Sequence, residues 1–177
     1  MSLSEPESVT SLDEVARELL GGLPERWGRM DRMSRMALVA VGRALAEEKK
    51  LAGSPPALQN DWTGGLIVAG RHGSLAADLD YAKTVAEGPG MASPHLFSYT
   101  LPNIPLAEAA IQYRLTGPVY CLVGDVEPGG LRREARHRLE EMNGPREKKL
   151  IITGIMDIDP AAGMVSTPPE LEIIYAQ

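Results

Sequence analysis

The sequence predicts an α/β fold: a mixed, mostly parallel sheet with helices packed against it. Short apolar runs at Leu66–Gly70, Val119–Val123 and Leu150–Ile155 have the length of strands and are bounded by turn residues. Between them lie stretches whose apolar residues recur every three or four positions, the mark of a helix with one buried face. This alternation fills most of the 177 residues, and strands joined by crossover helices pair in parallel.

Residues 1–23 read as an N-terminal appendage. Residues 1–10 are polar and expected to be disordered; Ser11-Leu-Asp-Glu then forms a capping box that opens a short helix ended by Gly21-Gly22 and Pro24. Residues 24–177 form the main domain. Its strongest helix runs from about Met30 to Lys49, with Met30, Met33, Ala37, Val41, Ala44 and Leu45 on one stripe and Met36 and Val39 widening it. The methionines read as core filling.

Gly53-Ser-Pro-Pro is a loop, and Leu66–Gly70 is a short strand bounded by glycines. Ser74 is placed as N-cap of a helix whose Leu75, Leu79, Ala82 and Val85 share a face, closed by Gly88-Pro-Gly. Asn103 is placed as cap of a helix over Ile104–Leu115, with Pro105 tolerated in its first turn. After the Val119–Val123 strand, Leu131, Ala135, Leu139 and Met142 line a further helix that stops at Asn143-Gly-Pro. Leu150–Ile155 and Leu171–Tyr175 are the last two strands.

The formal net charge of −6, with basic residues dispersed among acidic ones, disfavours nucleic acid as a partner. Arg26–Arg35 and Arg132–Arg138 are read as solvated helix faces, and as local cationic patches for an acidic partner only second. One cysteine allows no intramolecular disulfide and fits a reducing compartment. No apolar run is long enough for a signal or a span, so the expected location is cytoplasmic, away from the membrane.

Arg71-His72-Gly73-Ser74 joins the carboxyl end of a strand to the amino end of a helix, where α/β folds bind ligands and free N–H groups attract anions. Arg71, His72, Ser74 and Asn103 are the candidate ligand-binding residues, although a histidine in such a turn more often serves as a structural hydrogen bonder. Asp157 and Asp159 could ligate a divalent ion, but strand-end carboxylates facing water are the simpler account. His95 and His137 lack ligand spacing, so no metal and no other cofactor is expected. Phosphate-loop, dinucleotide and Gly-x-Ser-x-Gly motifs are absent from the sequence.

Four blocks carry a family resemblance. They are Pro24 with Arg29-Met-Asp-Arg-Met-Ser-Arg-Met-Ala, the turn Ile67-Val-Ala-Gly-Arg-His-Gly-Ser, the segment from Ser93 to Gly130, and Leu150-Ile-Ile-Thr-Gly-Ile-Met-Asp. In their order and spacing, over about residues 24–160, they resemble the β-ketoacyl synthase-like N-terminal family of the thiolase-like superfamily. Ser93, Pro94, Phe97, Leu101, Pro102, Asn103, Gly117, Pro118 and Gly129 fall on the family's approach to its nucleophile without a gap. Eight residues beyond Pro118, where the resemblance implies the catalytic cysteine, stands Val126.

An isopropyl group neither ionises nor attacks a thioester, so the resemblance implies no acyl-enzyme and no catalytic residue here. Cys121 lies five positions earlier inside an apolar run and reads as a small buried hydrophobe. The resemblance further implies half of a ketosynthase scaffold, without the half that bears the catalytic histidines, and with an open side that favours association. The expected function is a non-catalytic, chain-length-factor-like subunit in fatty-acid or polyketide-type synthesis. It would act as a homo-oligomer or as a heterodimer with an active ketosynthase, with an acyl carrier protein as a further candidate partner. Two alternatives stay open: a small acyl-CoA or acyl-carrier-binding module using Arg71, His72 and Asn103, and a divergent acyltransferase using His72 as base.

Overall fold

The computed structural model describes residues 11–48, 57–88, 90–142, 148–161 and 169–176. The disorder expected for residues 1–10, the loop at 53–56 and the helix stop at 143–145 lie outside these residues. Helix α1 (Leu12–Leu20) begins with the capping box in place. The Glu14 amide donates to Ser11 Oγ at 3.2 Å and the Ser11 amide to Glu14 Oε2 at 2.8 Å. Gly21, at φ 71°, ends it in the left-handed region that glycine adopts without a Cβ clash. This helix does not hang free: Ala16 and Leu20 are buried in the main core.

Helix α2 (Arg32–Glu47) starts where Asp31 accepts the Ser34 amide at 2.9 Å. It is buried on nearly every side from Met33 to Leu45, because α1, α5 and the sheet pack around it. Gly42 marks the tightest of these contacts: a Cβ there would stand 2.6 Å from Leu19 of α1 and overlap the Tyr113 hydroxyl of α5. The remaining elements are β1 (Trp62–Gly70), α3 (Leu75–Ala86), α4 (Pro94–Phe97), α5 (Ile104–Tyr113), β2 (Val119–Val123), α6 (Pro128–Glu141), β3 (Lys148–Ile155) and β4 (Glu172–Tyr175).

The sheet has the order β2-β1-β3-β4, with β1 parallel to both neighbours and β4 antiparallel to β3. It is the mixed, mostly parallel sheet that the sequence predicts. Leu66, Val68, Leu150 and Ile152 face α2 and α5, while Ile67, Ala69, Ile151 and Ile174 face α6. The alternation assigns each helix to one face of the pleat. On α6, Leu131, Ala135 and Leu139 point to the sheet, with Met142 just beyond the helix, and Arg132, Arg133, Arg136, His137 and Glu140 point to solvent.

Three expectations need correction. Strand β1 starts at Trp62, four residues before the predicted start, and runs through Gly64-Gly65. Those glycines are strand residues: a Cβ on Gly65 would meet the Pro118 carbonyl at 2.9 Å and one on Gly64 the Leu58 side chain at 2.6 Å, so close packing, not a turn, selects them. Helix α5 stops at Tyr113 because Arg114 takes φ 59° and ψ 39°. Most telling, the apolar face predicted for α3 is not in the core: Leu75, Leu79 and Val85 are 40–46% exposed, and Ala77 is the buried residue of that helix.

Candidate functional site

The site follows from the topology. From β1 the chain passes to the α5 side of the sheet, and from β2 it passes to the α6 side, so the two connections diverge at the carboxyl ends of neighbouring parallel strands. Divergence at a switch point leaves a crevice, the usual ligand position in open α/β sheets. Here it is a cavity of about 460 Å³ lined by Gly70, Arg71, Gly124, Asp125, Val126, Glu127 and Asp157. Its rim is held by main-chain bonds: Gly124 N to the Gly70 carbonyl at 3.0 Å and Met156 N to the Ala69 carbonyl at 2.8 Å.

Of the candidate residues, Arg71, His72 and Ser74 share one turn at this crevice, and Asn103 stands apart. Arg71 Nε donates to Asp125 Oδ1 at 2.6 Å across the mouth, with both side chains mostly exposed. Such a pair contributes little to stability. His72 is fixed far more firmly. Its amide donates to Asp157 Oδ1 at 2.9 Å, and its Nδ1 lies 2.7 Å from Asp157 Oδ2. The two side chains are about one-fifth exposed, so the carboxylate orients the ring from a half-buried position.

Asp157 is the residue that sequence reasoning missed. It reads there as a water-facing carboxylate, whereas it braces the β1–α3 turn from the end of β3. Asp159 makes a local bond instead: its Oδ1 accepts the Ala161 amide at 2.8 Å. Among the described residues no group of three metal-ligating side chains converges.

Ser74 and Asn103 are also assigned new local roles. Ser74 precedes α3, yet its side chain does not cap the helix; its hydroxyl is within reach of the Thr100 carbonyl (3.0 Å) and of Asp78 Oδ2 (3.1 Å). Asn103 likewise makes no cap bond. Its Oδ1 accepts the Cys121 amide at 2.9 Å, a donor of β2 that points away from β1. An edge strand carries such free donors, and a carboxamide reaching over from the α4–α5 turn satisfies this one.

Val126 sits half-buried at the crevice, three residues past the end of β2, and packs against the cluster beneath α6. Cys121 is half-buried on β2, on the opposite face from Tyr120 and Leu122. Burial pushes its thiol pKa up, and the nearby Asp157 carboxylate pushes it further. A raised pKa keeps the thiol protonated to higher pH, which makes it a poor nucleophile near neutrality. Removing the carboxylate charge should lower that pKa. The pH midpoint of Cys121 alkylation by iodoacetamide is therefore expected to fall in Asp157→Asn; an unchanged profile would show that Asp157 does not act on the thiol.

A second cavity, of about 420 Å³, lies on the other side of the Arg71–Ser74 turn, between the start of α2, α3 and the α4–α5 turn. Met33, Leu79, Leu96, Tyr99, Leu101 and Ile158 give it apolar walls, and Asp31 lines its floor, its carboxyl pKa raised chiefly by burial.

No protein-family model and no curated protein matches the chain. Solved structures do. The ishigamide ketosynthase/chain length factor aligns over 90% of this chain and 46% of its own, at 21% identity and a TM-score of 0.62. A ketosynthase in complex with its chain length factor from Xenorhabdus doucetiae aligns over 88% of this chain and 61% of its own, at 17% identity and a TM-score of 0.51. The chain thus spans less than two thirds of either. At these identities the likeness establishes architecture alone: the chain has the α/β fold of the solved ketosynthase and chain length factor structures, the fold class that its sequence predicts. Among the described residues no helix is long and apolar enough to cross a membrane.

Proposed function

We propose that this chain is a non-catalytic accessory subunit that pairs with an active ketosynthase, in the manner of a chain length factor. The observation that carries the reading is Val126 at the switch-point crevice, where the motif spacing calls for a thiolate. The neighbouring groups are poorly suited to take its place: burial and Asp157 push the Cys121 thiol pKa up, and the ring of His72 is tied to Asp157. Condensation through an acyl thioester needs a thiolate that carries the acyl group, and a crevice lined by Val126, glycines, the Arg71–Asp125 pair and the carboxylates of Glu127 and Asp157 offers no sulfur. Both solved relatives named above are ketosynthase and chain length factor assemblies by their descriptions, which supports a ketosynthase as partner.

The test has two arms. Incubation with acyl thioesters followed by intact-mass measurement should leave the chain unmodified. Co-expression with catalytically complete ketosynthase chains should yield a stoichiometric complex by size exclusion with light scattering. A covalent acyl adduct on Cys121, or a chain that pairs with no ketosynthase, would overturn the reading.

A further inference from the structure

The cavity between α2, α3 and the α4–α5 turn holds a polar group that the protein leaves unsatisfied. Tyr99, just past α4, lines this cavity and is only 5% exposed, yet its hydroxyl has no hydrogen-bond partner among the described residues. A buried phenol ordinarily finds one, because a desolvated O–H left alone costs free energy. Tyr113 donates to the Leu38 carbonyl, and Tyr120 to Glu134 at 2.6 Å. Burial raises the Tyr99 pKa, and the carboxylates of Glu108 and Asp31 raise it further, so the hydroxyl stands in the field of two acids. Glu108 is taken by Arg26 at 2.9 Å.

Asp31 is the acid that shares the cavity wall with Tyr99. Its Oδ1 accepts the Ser34 amide at 2.9 Å, and among the described residues no basic side chain forms an ion pair with it. Around these two groups the wall is mixed. Met33, Leu79, Leu96, Leu101 and Ile158 are apolar, while three carboxylates (Asp31, Asp80 and Asp159) stand against two cations (Arg32 and Lys83). Lys83 is neutralised by Asp80 at 2.6 Å. An excess of carboxylate favours a cation over an anion as occupant. A cavity of about 420 Å³ with apolar walls and a few converging polar groups is the usual form of a small-molecule site.

We infer that this cavity binds a small molecule with an apolar body and one protonated amine, which donates to the Tyr99 hydroxyl oxygen and to the Asp31 carboxylate. An ammonium carries three donors and can serve both acceptors at once. The body lies against Leu79, Leu96 and Leu101. A carboxylate in the same place would face Asp31 with the wrong sign. The assignment goes beyond the pairing proposed above and does not depend on it.

Phenethylamine, phenethyl alcohol and phenylpropionate share a body and differ in their polar end. Each is titrated into the full chain by calorimetry, with thermal melts alongside. The amine is expected to bind saturably and to raise the melting temperature, the alcohol to bind more weakly, and phenylpropionate not to bind. Asp31→Asn keeps an oxygen for the Ser34 amide, so α2 stays capped; amine binding should weaken by at least about tenfold and alcohol binding hardly at all. Tyr99→Phe removes a hydroxyl with no partner to lose, so its melting temperature should hold or rise while both ligands bind about fivefold more weakly. No saturable binding of the amine, phenylpropionate binding as tightly as the amine, or Asp31→Asn binding the amine unchanged would each overturn the assignment. So would a marked drop in the melting temperature of Tyr99→Phe, which would mean that the hydroxyl is already satisfied within the protein.

Discussion

Replacing Gly42 with valine is expected to lower the melting temperature by roughly 6–12 °C, the equivalent of about 3 kcal/mol in a domain of this size. Gly42 lies on α2 where α1 and α5 close in together. Any side chain there overlaps the Tyr113 hydroxyl and comes within 2.6 Å of a Leu19 methyl. The leucine can swing aside, because its methyl is the far end of a flexible chain. Tyr113 cannot. It is fully buried, and its hydroxyl donates to the Leu38 carbonyl, so displacement strands a desolvated O–H at a cost of about 1–3 kcal/mol. Alanine should show the same effect at smaller size, and a thermal melt within 1–2 °C of the unsubstituted chain for Gly42→Val would refute the packing account.

Gly70→Ala should disturb both stability and the crevice. The added methyl would overlap the Met156 carbonyl and approach Asp157 Oδ1 at 3.1 Å. The obstacle is backbone, which has nowhere to relax without breaking the Met156 N to Ala69 O bond that holds the ends of β1 and β3 together. A loss of about 2–3 kcal/mol is expected, as for overpacked core sites. Because Asp157 moves with Met156, the His72 ring should lose its brace. Its imidazole resonances should shift toward those of a free histidine, and Cys121 should alkylate faster as its cover loosens. A variant with unchanged stability and unchanged His72 resonances would show that the β1–β3 junction is slack.

The fold was legible wherever the signal is local. The capping box at Ser11 and Glu14, the broad apolar stripe of α2, and Leu131, Ala135, Leu139 and Met142 along α6 all report burial through spacing alone, and each is buried as spaced. What spacing cannot carry is which neighbour lies across a gap. Gly64-Gly65 looks like punctuation until Leu58 is seen pressed against the first and Pro118 against the second. The face of α3 looks like core because periodicity records an apolar face but not what it meets.

The candidate site divides in the same way. The turn Arg71–Ser74 could be located at a strand end from the order of elements, and Val126 could be placed by counting from Pro118. The partner of His72 could not, because Asp157 is 85 residues away and reaches it only through the pairing of β1 with β3. Asn103 misled for a related reason. An Asn before a helix satisfies the local rule for a cap, yet the stronger demand was an unpaired strand donor 18 residues on, visible only once β2 is known to be the edge.

The exterior of α6 sets a limit on how the molecule can be built into anything larger. Covering it with a dry layer would strand the guanidinium groups of Arg133 and Arg136 and the carboxylate of Glu140 away from water, at several kcal/mol per uncompensated ion. That flank is thus committed to solvent, or to a counter-charged visitor that keeps water between. A dry contact would fall more cheaply on the opposite flank, and the molecule acquires a front and a back from the chemistry of a single helix.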